Sequence, residues 1–386
     1  MSEKTLEKKS GFKLSDINFR DYMMVFALLG IWLVFAILSE GKFVGPRNMS
    51  NLLKQATFVA ILAIGMNNVI ILGGIDLSVG SLAALCGGVL AVVNVKAEMP
   101  IWLAVVACIA TGVGLGLWNG WWTAYRRVPA FIVTLAGLLV YRAALLAVIG
   151  GITIVSLDEA FVFAVAVLTV PANIGLIVGG ALCAIVLFFQ WRGRARKRQH
   201  SLEVMPFIME IIKSIVTVGL VALFVIWLNR YKGVPVSTFI VLALFVVFYF
   251  IANKTVFGRH IYAIGGNSKA SSLAGINIKR TTLLVFALNG FICSIAGIYL
   301  TSRLDSASAL AATSSELSAI AACVIGGTSL MGGIGKLPTV IVGALVMASI
   351  ENGMSLQQYD VFIHNIVQGL VLLLAVWFDI SRKSAK

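Results

Sequence analysis

Hydrophobic and polar positions alternate along this chain in long blocks rather than residue by residue. Several apolar windows of about 18 residues or more recur, and each could cross the hydrocarbon core of a membrane as an α-helix. The pattern therefore predicts an all-α, polytopic transmembrane helical bundle. The predicted spans are residues 22–38, 52–72, 81–95, 101–125, 130–149, 174–191, 207–228, 236–252, 281–301, 337–350 and 362–378.

One further apolar stretch, residues 317–331, is short and interrupted by glycine pairs. We expect a broken or re-entrant helix here, because irregular backbone at membrane depth must be shielded by protein. If it counts as a crossing, the bundle has about twelve spans and the C-terminus lies in the cytoplasm. If it is re-entrant, the C-terminus lies outside. We favour the crossing, because Arg382, Lys383 and Lys386 in the tail favour the cytoplasm, and ten or eleven spans are the alternatives. The prediction is thus a bundle of about 10–12 spans with broken or re-entrant helices.

Composition and charge refine this prediction. Sixty per cent of the residues are hydrophobic and 12% are charged, with a mean hydropathy of +0.99, which excludes an ordinary soluble domain. A net charge of +14 in a soluble chain would suggest a nucleic-acid partner. Here most of the 30 lysines and arginines lie between apolar runs, where they hold loops in the cytoplasm, so we expect no nucleic-acid partner. The predicted cytoplasmic segments are residues 1–20, 125–127, 192–206, 254–280 and the tail after 379.

The longest polar interval between late spans is residues 254–280. It contains five basic residues and no Asp or Glu. A break at Gly265-Gly266-Asn267 precedes a predicted short helix at 268–273, which Gly275 ends. We interpret the segment as a docking surface in the cytoplasm. An ordinary basic connector is the alternative.

Asp76 lies between two apolar runs in the glycine-flanked stretch GGIDLSVGS. The favoured interpretation is that its carboxylate caps the following helix, with Ser78 and Ser81 in the first turn. The alternative is a hinge or pathway element at a helix break near the centre of the bundle. A second double-glycine stretch, GGTSLMGGIG at 326–335, resembles this one and could indicate an internal repeat. Chance similarity is the simpler explanation.

Two groups of basic residues lie at or near membrane depth. Arg142 falls inside the 130–149 span, and we expect it to pair with an acid rather than snorkel to the interface. The run at 192–198 is interpreted as a topology anchor, with binding of anionic lipid head groups as the alternative.

The sequence lacks the motifs of nucleotide and metal chemistry. No G-x-x-x-x-G-K-[ST] loop occurs, and the nearest candidate, at Gly335, has Leu337 where Ser or Thr is needed. His200, His260 and His364 are far apart and lack acid or cysteine neighbours at ligand spacing. We therefore expect that the chain is not an enzyme and holds no metal or cofactor.

Four segments resemble one known family, and they occur in the order that the family shows. They are GGIDLSVGS (73–81), NGWW and YRRVPAFIVTLAG (within 119–137), FGRHIYAIGGNSKASSLAGI (257–276) and AIAACVIGGTSLMGGIG (319–335). They are similar to the membrane permease subunits of bacterial ABC sugar importers of the ribose, galactose, arabinose and xylose group. The likeness runs from about residue 48 onward. The extra segment with the basic loop near Trp191 makes the chain most similar to xylose-type and multiple-monosaccharide permeases.

The resemblance implies a transport subunit of the bacterial inner membrane with a type II ABC importer-like fold. Two permease copies, surrounded by membrane lipids, would together form the pathway for a monosaccharide. A cytoplasmic ATPase would bind ATP and magnesium, and an extracytoplasmic binding protein would deliver the sugar. We divide the chain into a cytoplasmic tail (1–20), a permease domain (21–380) with its coupling loop (254–280), and a C-terminal tail (381–386). Selectivity would then rest with the binding protein, so we expect no tight sugar site here.

Two groups of residues are candidates for function, and the resemblance implies the second of them. The candidate pathway or structural residues are Gly74, Asp76, Ser78, Asn119, Gly326 and Gly327. The ATPase-coupling residues are Phe257, Gly258, Arg259, Tyr262, Gly265, Gly266, Asn267, Ala270, Leu273, Ala274, Gly275 and Ile276. A secondary, ion-coupled sugar transporter is one alternative function, although the spans carry few acids. A membrane scaffold without transport activity is another.

Overall fold

The structure, a computed structural model, describes residues 19–200, 204 and 206–384. Residues 1–18 and 385–386 of the predicted tails, and residues 201–203 and 205 of a predicted cytoplasmic segment, lie outside this description. The first eight helices are α1 (Phe19–Leu38), α2 (Pro46–Ile71), α3 (Val79–Ala91), α4 (Ile101–Ala124), α5 (Ala130–Ile149), α6 (Glu159–Val162), α7 (Ala172–Gln199) and α8 (Phe207–Asn229).

The second half of the chain is also helical. Its helices are α9 (Val236–Lys254), α10 (Val256–Gly266), α11 (Ser268–Leu273), α12 (Ile278–Leu304), α13 (Ser315–Ile325), α14 (Leu337–Leu356) and α15 (Val361–Ser384). π-Helical turns extend α3 over Val92–Lys96 and α6 over Phe163–Val167. Four two-residue strands pair as β1 (Ile154–Val155) with β4 (Ser306–Ala307), and β2 (Thr169–Val170) with β3 (Val234–Pro235).

The predicted all-α polytopic bundle is confirmed. Ten of the described helices are long and apolar enough to cross a membrane, and two shorter apolar helices cover Met24–Leu38 and Ser315–Ile325. The span predicted at 52–72 begins earlier than expected, because Pro46 starts α2. Proline is well suited to the first helical position, where its missing N–H has no partner in any case.

The described chain divides into two compact units. The first contains residues 170–234, in which α7 and α8 form an antiparallel hairpin. Within it, the Arg194 guanidinium lies 3.5 Å from the Glu210 carboxylate, and the Ser214 hydroxyl donates to the Gln190 side chain at 3.3 Å. The second unit contains Ala27–Thr169 and Pro235–Lys386 and holds the main hydrophobic core.

Close backbone approach builds the core of the second unit. A β-carbon on Gly112 would collide with the Gly290 carbonyl oxygen of α12, and one on Gly116 would lie 3.1 Å from the Gly290 Cα. Small residues let membrane helices approach in this way. Gly112 and Gly116 therefore allow α4 and α12 to pack closely.

The chain between α12 and α14 passes from one end of this unit to the other. Near the C-terminal end of α12, the Tyr299 hydroxyl donates to the Lys54 carbonyl close to the start of α2, at 2.7 Å. At the far end of α2, the Gly333 N–H donates to the Ile71 carbonyl at 2.8 Å. Helix α13 and a glycine-rich loop cover the distance between these ends. The stretch predicted at 317–331 thus consists of the short helix α13 and the start of an irregular loop. The helix and the loop together run from one end of this unit to the other.

Candidate functional site

Three side-chain caps shape the predicted docking segment. The Thr255 hydroxyl accepts from the Gly258 N–H at 3.1 Å and starts α10. The Asn267 side chain accepts from the Ala270 N–H at 2.9 Å and starts α11. The Asn277 side chain accepts from the Arg280 N–H at 2.9 Å and starts α12. Such oxygens satisfy N–H groups that lack partners in the first turn of a helix.

The predicted short helix is confirmed as α11 over Ser268–Leu273, and Gly275 follows its end with φ +80°. The predicted break is narrower than expected. Gly265 and Gly266 form the last turn of α10, so the chain breaks only at Asn267.

The inner side of α10 packs against the rest of the second unit. Ile261 and Ile264 are buried, and Phe257 is half-buried. Gly258 is buried so close to the end of α9 that a β-carbon there would collide with the Ala252 carbonyl oxygen. The half-buried Tyr262 hydroxyl donates to the Gly335 carbonyl at 2.9 Å, and burial raises the pKa of this phenol. This side of α10 is thus fixed to the glycine-rich loop between α13 and α14.

Three glycine-containing segments meet beneath α10. A β-carbon on Gly332 would lie 2.9 Å from the Gly265 carbonyl oxygen and 3.1 Å from the Gly73 Cα. A β-carbon on Gly265 would collide with the Ile71 carbonyl oxygen and lie 2.6 Å from the Gly333 nitrogen. We call this the glycine junction, comprising Gly73, Gly265 and Gly332. It joins the docking segment to the ends of both double-glycine stretches through backbone contacts.

The outer side of the docking segment is exposed. The Leu273 side chain is 91% exposed, which is unusual for an apolar residue on a short, capped helix. A β-carbon on Gly266 would have no neighbour within 4 Å. The half-buried Ile276 ends the segment. The exposed predicted residues are Arg259, Gly266, Asn267, Ala270, Leu273, Ala274 and Gly275.

A second group of predicted residues forms a buried polar network. Asp76, only 2% exposed, accepts from the Ser78 N–H at 2.9 Å and from its hydroxyl at 2.6 Å. Its other oxygen accepts from the Asn289 amide at 2.8 Å. The Asn119 amide donates to the Ser78 hydroxyl at 3.1 Å, and the Tyr141 hydroxyl donates to Asn119 at 2.7 Å. These five side chains connect the break before α3 to α4, α5 and α12.

The favoured interpretation of Asp76 is wrong in detail. Ser78, not Asp76, is the N-cap residue of α3, and its side chain makes no capping hydrogen bond. The carboxylate instead holds the Ser78 backbone and the Asn289 side chain, so it satisfies freed polar groups at a helix break. Asp76 therefore belongs to the connection between helices.

The remaining predicted glycines lie at the two breaks. Gly74 approaches Val69 and Ala130, with contacts of 3.3 and 3.4 Å to a notional β-carbon. A β-carbon on Gly326 would lie 2.7 Å from the Val340 Cα of α14. Gly327 has φ +81°, a conformation that favours glycine. The network of Asp76 and the glycine junction are thus separate sites, linked by the chain from Gly73 to Asp76.

Arg142 does not form the expected acid pair. Its guanidinium donates to the carbonyl oxygens of Ala309 and Ala311 at 2.9 and 2.7 Å. Glu316 acts on it only as a nearby charge. The arginine therefore supplies donors to the carbonyls of an irregular stretch of backbone before α13.

Tyr141 and Asn289 were not among the predicted site residues. Both are polar side chains inside predicted apolar spans, and that position was the signal that could have found them. The hydrogen bond from Tyr262 to Gly335 was not predicted either, because it joins residues far apart in the chain.

A family model described as "Branched-chain amino acid transport system / permease component" matches residues 48–376. The chain belongs to this permease family. It is 44% identical to the xylose transport system permease protein XylH of Escherichia coli over 96% of the chain and 94% of XylH. It is 43% identical to XylH of Haemophilus influenzae, over 96% of the chain and 99% of that protein.

The ribose import permease protein RbsC of Escherichia coli is 34% identical over 92% of the chain and 94% of RbsC. No solved structure matches. Membership of the permease family and the ten apolar helices confirm a multi-pass protein of the bacterial inner membrane. They also confirm the predicted permease subunit of an ABC importer, a transport component rather than an enzyme. In general, such a permease works with ATPase and binding-protein partners.

Proposed function

We propose that this permease forms the membrane pathway for uptake of xylose or a closely similar monosaccharide. The identity to two xylose permeases extends over nearly their whole length and exceeds that to the ribose permease. The same extent of match favours the sugar over the branched-chain amino acids named in the family description.

We propose further that the exposed side of α10 and α11 docks on a cytoplasmic ATPase. The observation that carries this proposal is Leu273, an apolar side chain that is 91% exposed in a basic cytoplasmic segment. The glycine junction beneath it supports a mechanical role, because backbone packed on backbone transmits displacement with little loss. ATP and magnesium belong to the ATPase in this proposal, and the permease chain holds no cofactor.

The proposed assembly contains a second copy of the permease, the ATPase, an extracytoplasmic sugar-binding protein and surrounding lipid, without nucleic acid. Closure of the ATPase subunits on ATP would move both docking segments and switch the pathway between outward and inward openings. The mass of the detergent-purified complex tests the number of permease copies.

Leu273→Glu tests the docking proposal. In cells that lack their own xylose permease, we expect the variant to reach the membrane but to reduce uptake of labelled xylose roughly tenfold or more, because a charge replaces an apolar contact. Leu273→Met keeps an apolar surface and should retain uptake. The matched control is Leu310→Glu, since Leu310 is 82% exposed and lies between α12 and α13.

The ATPase that co-purifies with each variant separates the explanations. It should be depleted with Leu273→Glu and retained with Leu310→Glu. If Leu273→Glu retains both the ATPase and uptake, the docking assignment is wrong. Sugar uptake driven by an ion gradient without ATPase would instead favour a secondary transporter, and unchanged uptake after deletion of the chain would favour a scaffold.

A further inference from the structure

A polar cavity lies at the end of the second unit opposite α10 and α11. Its volume is about 570 Å³, within the range of roughly 300–1,000 Å³ found for small-molecule sites. It is bounded by residues near the start of α2, the end of α12, the end of α14 and the start of α15. The opposite ends of α2, α12 and α14 lie at or near the basic docking segment, which stays in the cytoplasm. The cavity is therefore at the extracytoplasmic end.

A hydrogen-bonded carboxylate forms one wall of this cavity. The Ser318 hydroxyl donates to Glu351 Oε1 at 2.7 Å, and the Gln368 amide donates to the same oxygen at 2.9 Å. Gln368 Nε2 also reaches the Ser318 hydroxyl, at 3.4 Å. These contacts join α13, α14 and α15 and fix the direction of the polar groups.

Two polar groups of the wall have unused hydrogen-bonding capacity. Gln368 is 9% exposed, and its Oε1 atom is buried without a hydrogen-bond partner among the described residues. The half-buried Arg303 lines the cavity and makes no hydrogen bond or ion pair within the described part of the chain. A buried amide oxygen without a partner is costly unless something binds it. The Arg303 guanidinium interacts with Tyr299 and Glu351 only through charge, so its N–H groups are available to a ligand. Gln55 adds a further amide, and Phe58 and Tyr359 add aromatic rings to the lining.

We infer that this cavity is a weak transit site for a neutral, polyhydroxylated ligand, a monosaccharide in its ring form. Sugar hydroxyls both donate and accept, so they can satisfy the Gln368 oxygen and the Arg303 guanidinium together. The apolar face of a sugar ring can pack on Phe58 or Tyr359. This inference rests on the proposed function, to which it adds the place where sugar first enters the permease.

The charges of the lining favour a neutral ligand over a charged one. Glu351 is the one acid and Arg303 the one arginine or lysine among the described residues of the lining. An anionic sugar phosphate would meet Arg303 but also face the carboxylate, and a cationic ligand would face the reverse conflict. Because few groups point at the ligand, weak binding suits release into the pathway.

The test uses the full-length permease in lipid nanodiscs and saturation-transfer NMR with D-xylose, compared with ribose 5-phosphate. We expect saturation to reach the xylose ring protons and not the phosphorylated sugar. Arg303→Met and Gln55→Leu should each reduce the xylose signal about fivefold, as expected for one lost hydrogen bond. Arg303→Lys should retain part of it. Arg47→Met, an exposed arginine near the start of α2, is the matched control and should leave the signal unchanged.

Gln55→Leu keeps the test decisive if Arg303→Met misfolds, because no hydrogen bond of the Gln55 side chain holds the described fold together. Absence of any xylose signal, or equal signals from the wild type and both cavity variants, would overturn the inference. Uptake by the complete transporter is measured in parallel. If the wild type takes up no monosaccharide, the proposed function fails. If it takes up sugar and the cavity variants bind and transport normally, only the transit site fails.

Discussion

Two polar regions of this largely apolar chain, the network around Asp76 and the docking segment, treat their polar groups in opposite ways. Around Asp76, the carboxylate, a hydroxyl and two amides are buried and bonded to one another. In the docking segment, three helix caps bond within the segment and Tyr262 bonds inward, while the outer side presents Leu273 and basic residues to the surroundings.

The difference shows how a polar residue in a membrane protein can be interpreted. A buried carboxylate that accepts hydrogen bonds from the chain on both sides of a helix break fixes that break, because the buried donors would otherwise lose their partner. A segment whose own caps make it rigid, while its surface remains open, is suited to bind a partner. Asp76 therefore stabilises the packing of the permease helices, and Leu273 is available to bind a partner.

The largest effect is expected from neighbouring glycines in the docking segment. Gly265→Ala places a methyl group on the Ile71 carbonyl and should cost about 3 kcal/mol or more of unfolding free energy, at the upper end for overpacking. Gly266→Ala meets nothing within 4 Å and should change stability by at most about 1 kcal/mol. Thermal unfolding in detergent, followed with a thiol dye that reacts as the buried Cys86, Cys108, Cys293 and Cys323 become exposed, measures both.

A bulky charged side chain at an exposed position of the docking segment tests binding of the ATPase without disturbing the packing of the glycine junction. We expect Gly266→Glu or Ala274→Glu to insert and fold normally while uncoupling ATP hydrolysis from transport. If Gly265→Ala unfolds at the wild-type temperature, the glycine junction is looser than its contacts indicate. If Gly266→Glu transports normally with its ATPase attached, Gly266 is not part of the docking surface.

The next effect concerns the buried network. Asp76→Leu removes the acceptor for Ser78 and Asn289, and we expect a loss of about 3 kcal/mol in unfolding free energy, because buried donors lose their partner. Ser81→Ala is the control, since the Ser81 hydroxyl bonds only to the Ser78 carbonyl among the described residues. The double variant Asp76→Leu with Asn289→Ala should cost less than the sum of the single variants. Additive costs would show that the two side chains do not interact.

The smallest effect is expected where the docking segment meets the glycine-rich loop between α13 and α14. Tyr262→Phe removes the hydrogen bond to Gly335 and should cost about 1 kcal/mol. Tyr231→Phe is the control, because the Tyr231 hydroxyl makes no hydrogen bond among the described residues. Since burial raises the pKa of Tyr262 in the folded state, its contribution is complete below the unfolded phenol pKa of about 10. The difference in unfolding free energy between the wild type and Tyr262→Phe should therefore decrease as the pH rises above this value. A difference that stays constant with pH would contradict this assignment.

Local patterns predicted much of this molecule. The spans follow from hydrophobic blocks, and α11 follows from the turn residues around Asn267 and Gly275, which act within a few positions of the chain. The importance of Asp76 was also visible, because an acid between apolar runs must find partners.

Contacts between residues far apart in the chain could not be predicted from local patterns. Asn289 lies more than 200 positions from Asp76, and nothing in the spacing indicates that α12 passes the break before α3. Arg142 was expected beside an acid, but irregular backbone before α13 offered carbonyls instead, a form of partner that side-chain composition does not reveal. The polar cavity near Glu351 was missed for the same reason, since its walls come from four helices.

The glycine junction has a consequence for exchanging parts between permeases. Because Gly73, Gly265 and Gly332 touch through their main chains, no side chain is available there to absorb a mismatch. A hybrid that takes its cytoplasmic helices from another transporter would have to take the two facing glycine loops as well. We therefore expect these three short segments, although far apart in the gene, to be exchangeable between permeases only as a set.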